Sequence, residues 1–258
     1  MNCKEIFEKL CEYAPLKLSD DIVQLENGYD NSGVISGNIG EIENALFCLD
    51  LTKDSVDAAI RNGCNLIVTH HPAIYKPIKN INENSPLAIC MRDNIAVISM
   101  HLNLDCAEFG IDYYFARGLG GKNIRILEKL GDNVGYGRCF DLDEKTPEQI
   151  INDYKNIFDT DKVAFYGDKD KIIRSVASFC GAGLGENEIK AALSCGVDMV
   201  ASADIPHHIL LSAIESGLTV LSCTHYATEN YGMKKFAEYA DKTFKNLKIL
   251  FFDDKRFL

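Results

Sequence analysis

The sequence predicts an α/β protein: two related α/β domains built from duplicated β-α-β-α-β units. Three observations predict it. Short apolar runs alternate with amphipathic helical segments along most of the chain. A stretch of the first half can be laid over a stretch of the second. All six histidines fall in four short places, Thr69-His70-His71-Pro72, Met100-His101, Pro206-His207-His208-Ile209 and Thr224-His225-Tyr226. Each lies on or just after an apolar run or at a helix start.

The elements follow in order. Residues 44–50 are a short apolar run and read as a strand. Thr52 can cap a helix over 53–62, where Val56, Ala59 and Ile60 keep helical spacing and Gly63 supplies the stop. Residues 64–68 form the next strand and run into Thr69-His70-His71. A loop from Pro72 to Asn84 leads to a helix over 86–93. The strand over 95–100 delivers His101, a loop carries Asp105, and a helix over 111–119 follows. Residues 131–171 read as strand, helix and strand, with Pro147 opening the helix, and begin a second domain. There the scheme repeats: a strand over 174–179, the turn Gly181-Ala182-Gly183-Leu184-Gly185, and a helix over 186–194 stopped by Gly196. A strand over 197–202, a helix opened by Pro206 and stopped by Gly217, and a strand over 218–223 then deliver Thr224-His225. An amphipathic helix over 230–244 and a strand over 248–252 close the chain. The predicted domains are 1–128 with 226–258, and 129–225.

The overlay aligns residues 58–69 with 191–202 and 97–100 with 220–223. With a slip of one residue, His101-Leu102-Asn103-Leu104-Asp105 then falls on His225-Tyr226-Ala227-Thr228-Glu229. Duplication of one unit explains this; so does the similarity of any two β-α-β units. The shared ending, a histidine followed four residues later by an acid, favours duplication.

Composition narrows the function. A net charge of −11 argues against a nucleic-acid or anionic-membrane partner, because phosphate backbones need clustered Lys and Arg. No apolar run approaches the roughly 20 residues that span a bilayer, and no signal-like segment opens the chain. The ten cysteines include no CxxC pair, and several sit in apolar runs such as Ala45-Leu46-Phe47-Cys48-Leu49, as small buried hydrophobes do in a reducing cytoplasm.

Ligand sites of open α/β sheets lie at the carboxyl ends of the parallel strands. His70, His71, His101, Asp105, Asp204 and His225 all fall there. Imidazole and carboxylate together suit a divalent cation such as zinc, iron or manganese. His70 and His71 point to opposite sides of an extended segment, so they serve two ions, or one ion and the core. Glu229 has two oxygens and can bridge two cations about 3.5–4 Å apart. His101, His207 and His208 are read as residues lining the site and carrying protons, with Asp105 the better ligand of the His101–Asp105 pair. The glycine turn can hold a phosphate on its amides or simply make a tight strand-to-helix corner. Cys106 and Cys223 can ligate through sulfur or pack. No GxSxG elbow supports serine catalysis.

Leu66-Ile67-Val68-Thr69-His70-His71-Pro72, Ser99-Met100-His101-Leu102-Asn103-Leu104-Asp105 and Thr224-His225-Tyr226-Ala227-Thr228-Glu229 together resemble the three motifs of the NIF3-like family, also called GTP cyclohydrolase 1 type 2 homologues. Gly135-Tyr136-Gly137-Arg138 and Asp204-Ile205-Pro206-His207-His208 are similar to two further family stretches, and the chain resembles the family's short form. The resemblance implies two divalent ions per subunit on His70, His71, Asp105, His225 and Glu229, in the cleft between the two domains. It also implies a toroidal homohexamer and a small-molecule substrate. The activity it implies is hydrolytic opening of the GTP imidazole ring; the alternative is a non-catalytic metal-binding, regulatory or metal-storage protein. Where many members have Gly-Asp before the second histidine pair, this chain has Ala203-Asp204.

Overall fold

A computed structural model describes residues 1–37 and 40–257, and the chain divides into two compact units. Unit 1 is Met1–Ala107 with Met233–Lys255; unit 2 is Glu108–Gly232 with the last residues from Arg256. The sequence set its divisions at 128/129 and 225/226. Among the described residues no helix is long and apolar enough to cross a membrane.

Unit 1 opens with two helices that the sequence reading leaves unassigned, α1 (Cys3–Tyr13) and α2 (Leu16–Glu26). A reciprocal capping box between Asn2 and Glu5 starts α1, and Ile6 and Leu10 are buried on one face. The sheet has the order β1 (Gly33–Ser36), β4 (Ala96–Ser99), β3 (Leu66–Thr69), β2 (Asn44–Cys48), β11 (Lys248–Phe251). All strands are parallel except the edge strand β1, which runs antiparallel to β4. Helices α3 (Lys53–Arg61) and α4 (Pro86–Arg92) make the β2-α3-β3-α4-β4 crossovers, capped by Thr52 and Ser85. Every residue of β3 and β4 is buried, as expected of central parallel strands covered on both faces. Asp105 sits on a short helix, α5 (Leu102–Cys106), and not in a loop as the sequence suggested. Five residues give too little periodicity to be read as a helix.

Unit 2 contains α6 (Ile111–Gly118), β5 (Lys122–Lys129), β6 (Gly135–Lys145), α7 (Pro147–Phe158), β7 (Ala164–Tyr166), β8 (Ile173–Ser178), α8 (Glu186–Ser194), β9 (Met199–Ala203), α9 (His207–Glu215) and β10 (Thr219–Cys223). Its sheet has the order β5-β6-β8-β9-β10-β7. Strands β8, β9 and β10 are parallel, and β7 pairs antiparallel with β10 at one edge. That repeats unit 1, where β2, β3 and β4 are parallel and β1 is the antiparallel edge. The other edges differ: a parallel β11 in unit 1, an antiparallel β5-β6 pair in unit 2.

The Gly135-Tyr136-Gly137-Arg138 segment opens β6 and is fixed by a buried brace. Asp112, in the first turn of α6, accepts from the N–H groups of Gly137 at 2.6 Å and Cys180 at 2.9 Å. Arg138, 1% exposed, donates to the carbonyls of Gly135 and Gly137 and lies 3.9 Å from Asp112. Burial pushes the Asp112 carboxyl up, against the pull of Arg138 and the two amides.

The last helix, α10 (His225–Thr243), starts five residues before the predicted 230. Thr224 accepts from the Ala227 N–H at 3.3 Å and so caps it. His225 and Glu229 therefore stand one turn apart on one helix face.

Candidate metal centre

In unit 1 the end of β3 is held so that both histidines leave it in fixed directions. The His70 N–H donates to the carbonyls of Cys48 and Leu49, and the His71 N–H to Leu49. Thr69 Oγ1 donates to the His71 carbonyl at 2.8 Å and shares a 2.9 Å hydrogen bond with Ser99 Oγ. The end of β4 is set in the same way, by the Met100 N–H on Thr69 and the His101 N–H on Ser32 Oγ at 3.0 Å.

Three rings result, at centroid separations of 5.0 Å for His70–His71, 5.2 Å for His70–His101 and 5.8 Å for His71–His101. One nitrogen from each lies within 4.8 Å of the other two. Asp105 Oδ1 is 3.4 Å from His70 Nε2, and both residues are buried.

The other ring nitrogens are occupied. His70 Nδ1 bonds the Met100 carbonyl at 2.9 Å, His71 Nδ1 bonds Asp50 Oδ1 at 2.7 Å, and His101 Nδ1 bonds Asp30 Oδ1 at 2.7 Å. Each partner is an acceptor, so Nδ1 is the donor, and in the neutral ring the lone pair then falls on Nε2. That is how metal-binding histidines are held: the outer oxygen fixes the tautomer and raises the basicity of the ligating nitrogen. Burial by itself pushes the Asp30 carboxyl up, but hydrogen bonds from His101, Ser19 and Ser32 overcome it and hold it well below the usual carboxylate range.

Unit 2 repeats the device. His225 Nδ1 bonds Asp204 Oδ2 at 2.7 Å, which leaves Nε2 3.1 Å from Glu229 Oε2. Asp204 follows β9 with φ at 46°, a left-handed conformation uncommon outside glycine. Glu229 is 4% exposed.

The structure thus brings His70, His71, His101 and Asp105 together in unit 1, and His225 with Glu229 in unit 2. His101, expected to line the site, stands among the possible ligands. His207 and His208 are exposed in the first turn of α9, outside every group of converging ligand atoms among the described residues. Cys106 and Cys223 are buried and also outside those groups, and burial pushes the Cys223 thiol far up. In the glycine turn, Gly181 N–H donates to Thr228 Oγ1, Gly183 N–H to the Cys180 carbonyl and Gly185 N–H to Glu188 Oε2, so three of its amides are spent on the fold.

Sequence reasoning missed Asp30 and Asp50 and placed Asp204 only at the strand ends; the three are the acidic Nδ1 partners. Asp50 ends the apolar run over 44–50 and Asp204 directly follows β9, where the strand-end rule points. Asp30 lies between α2 and β1 and carries no such signal.

The donor set fits a divalent cation of the zinc, iron or manganese kind: imidazole nitrogens with a defined lone pair, and buried carboxylates beside them.

Comparison with known proteins identifies the family. The model of the Duf34/NIF3 (NGG1p interacting factor 3) family matches residues 1–256. A protein of Clostridium acetobutylicum named GTP cyclohydrolase 1 type 2 homolog is 29% identical over 238 residues, covering 89% of this chain and 85% of its own. One of the same name from Methanocaldococcus jannaschii is 30% identical over 243 residues, covering 93% and 94%. The solved structure of reduced HcgD from Methanocaldococcus jannaschii is similar with a TM-score of 0.81 and 29% identity, over 98% of both chains.

Proposed function

The chain belongs to the Duf34/NIF3 family, and from that premise we propose that it is a dinuclear metal-dependent hydrolase acting on a nucleotide or related heterocycle. His70, His71, Asp105, His225 and Glu229 hold two divalent cations. The observation that carries this reading is a shared hydrogen bond: all four histidines of the two groups have Nδ1 on an oxygen acceptor, with Nε2 on the other side of the ring. A cation bound by these residues would supply Lewis-acid activation of a water nucleophile. Five protein ligands shared by two ions would leave room for water or substrate, as a catalytic site needs.

The substrate class rests on relatives named for GTP cyclohydrolase. His101, hydrogen-bonded to Asp30 and beside the His70 and His71 rings, is the proposed carrier of the proton. His207 and His208, if they act, do so from the exposed start of α9. The motif resemblance supports a ring-shaped homohexamer, which light scattering in solution tests. Ten cysteines, none in a CxxC pair and several within apolar runs, support a reducing, cytoplasmic setting.

Two measurements test the reading. Metal analysis of the purified chain, beside Glu229→Ala, should find near-stoichiometric divalent metal in the wild type and a loss in the variant. No bound metal under reducing conditions would sink the dinuclear centre. Metal-loaded protein incubated with GTP should release formate; metal binding without any product favours the storage or regulatory reading.

A further inference from the structure

Thr228 is fully buried, and its hydroxyl is used twice. Its Oγ1 donates to the His225 carbonyl at 2.8 Å, one turn back in α10, and accepts from the Gly181 N–H at 3.0 Å. The equivalent position in the first repeat, four residues into His101-Leu102-Asn103-Leu104-Asp105, is Leu104, equally buried. An apolar residue therefore satisfies this position for packing alone. A hydroxyl there needs a reason, and the reason lies across from it.

Gly181 is pinned on every side. Its carbonyl accepts from the Ala203 N–H at 3.0 Å and from Ser202 Oγ at 3.3 Å, and the preceding Cys180 N–H is held by buried Asp112. Its φ is 54°, and a Cβ there would overlap Glu229 Oε1 and sit 3.0 Å from His225 Nε2. The turn is in contact with the two ligand-bearing side chains, and the Thr228 hydroxyl is the bond that ties it to their helix.

We propose that Thr228 and Gly181 form a clamp that sets the separation of His225 and Glu229 for the cation, Thr228 acting as a positioning residue and Gly181 as the wall against which Glu229 rests. This rests on the metal reading above. Valine at 228 keeps the shape, removes the hydroxyl and leaves the buried Gly181 N–H without its acceptor. Serine keeps the hydroxyl and gives up one methyl.

Titration calorimetry with Zn2+ on the metal-free full-length chain tests the clamp. Thr228→Val should weaken the affinity about 10–100-fold, the range for residues that orient ligands, while Thr228→Ser stays within about threefold of wild type. Gly181→Ala should lose more than either. A core variant in the same unit, Val200→Ala, matched to Thr228→Val in melting temperature, separates ligand positioning from loss of stability, since it should keep the wild-type affinity. In the Co2+-loaded protein the visible absorption bands should shift in Thr228→Val and not in Thr228→Ser or Val200→Ala. If Thr228→Val binds Zn2+ as tightly as wild type, or if Val200→Ala falls with it, the clamp is wrong while the metal site stands. If the wild type binds no Zn2+, the metal reading itself fails and the clamp falls with it.

Discussion

The two units use one scaffold to opposite ends. In both, three parallel strands joined by two helices finish in a histidine followed four residues later by an acid. In unit 1 the end of the middle strand supplies ligand candidates, His70 and His71, and the end of the first strand supplies an orienting acid, Asp50. In unit 2 the middle strand supplies the orienting acid, Asp204, and the first strand ends in a glycine turn that makes room for Glu229. The first group is deep, with His70 fully buried; in the second, the His225 side chain is a third exposed. A repeated sheet edge fixes where functional side chains emerge, and which of them bind and which support is free to change between copies.

Removing one histidine from each group exposes that difference most strongly. His70→Ala and His225→Ala should both abolish stoichiometric metal uptake, read by elemental analysis. Only His70→Ala should also cost stability, about 2–4 kcal/mol in metal-free chemical unfolding against under about 1 kcal/mol for His225→Ala, because it opens a cavity and strands the buried Met100 carbonyl. Equal stability losses would contradict the contrast in burial.

Next come the orienting acids. Asp50→Ala and Asp204→Ala should each weaken divalent-metal affinity about 10–100-fold without unfolding the chain, by freeing the Nδ1 tautomer. Calorimetry showing one of them silent would confine the orienting role to the other unit.

Asp30 gives a pH signature confined to unit 1. Its carboxyl is held below the usual range, so its contribution to stability is present above the unfolded value near 3.9 and is lost as pH falls toward the folded value. The gap in melting temperature between metal-free wild type and Asp30→Asn should be widest at neutral pH and narrow below about pH 4. A gap independent of pH would mean that the Asp30 charge is not what holds His101. The smallest effect is expected at α9: His207→Ala and His208→Ala should leave metal affinity within about twofold, as surface positions away from the converging donors do.

Much of this was legible in the sequence. The β-α-β-α-β order, the parallel strands and the residues at their carboxyl ends follow from apolar periodicity, caps and stops. The alignment of residues 97–100 with 220–223 falls on β4 and β10, which occupy equivalent places in the two sheets. Other features escaped, among them strands β1 and β5. Helices α1 and α2 were left unassigned, although Asn2 and Glu5 form a capping box. Helix α5 is too short to carry a period. The early start of α10 was hidden because its first five residues include His225, Thr228 and Glu229, polar residues that break the amphipathic pattern marking the rest.

The sequence by itself determined the class of fold, the edge at which the candidate site sits and the kinds of side chain gathered there, because these depend on local pattern and on the alternation of strand and helix. Only the tertiary structure decided the roles. That His101 stands with His70 and His71, that Asp30, Asp50 and Asp204 hold the Nδ1 atoms, and that His207 and His208 stand apart all depend on contacts between residues distant in the chain. The Asp30–His101 bond spans 71 positions. Such a pair leaves no periodicity to read, because its partner is set by how loops meet over a sheet edge and not by what stands next to it in the sequence.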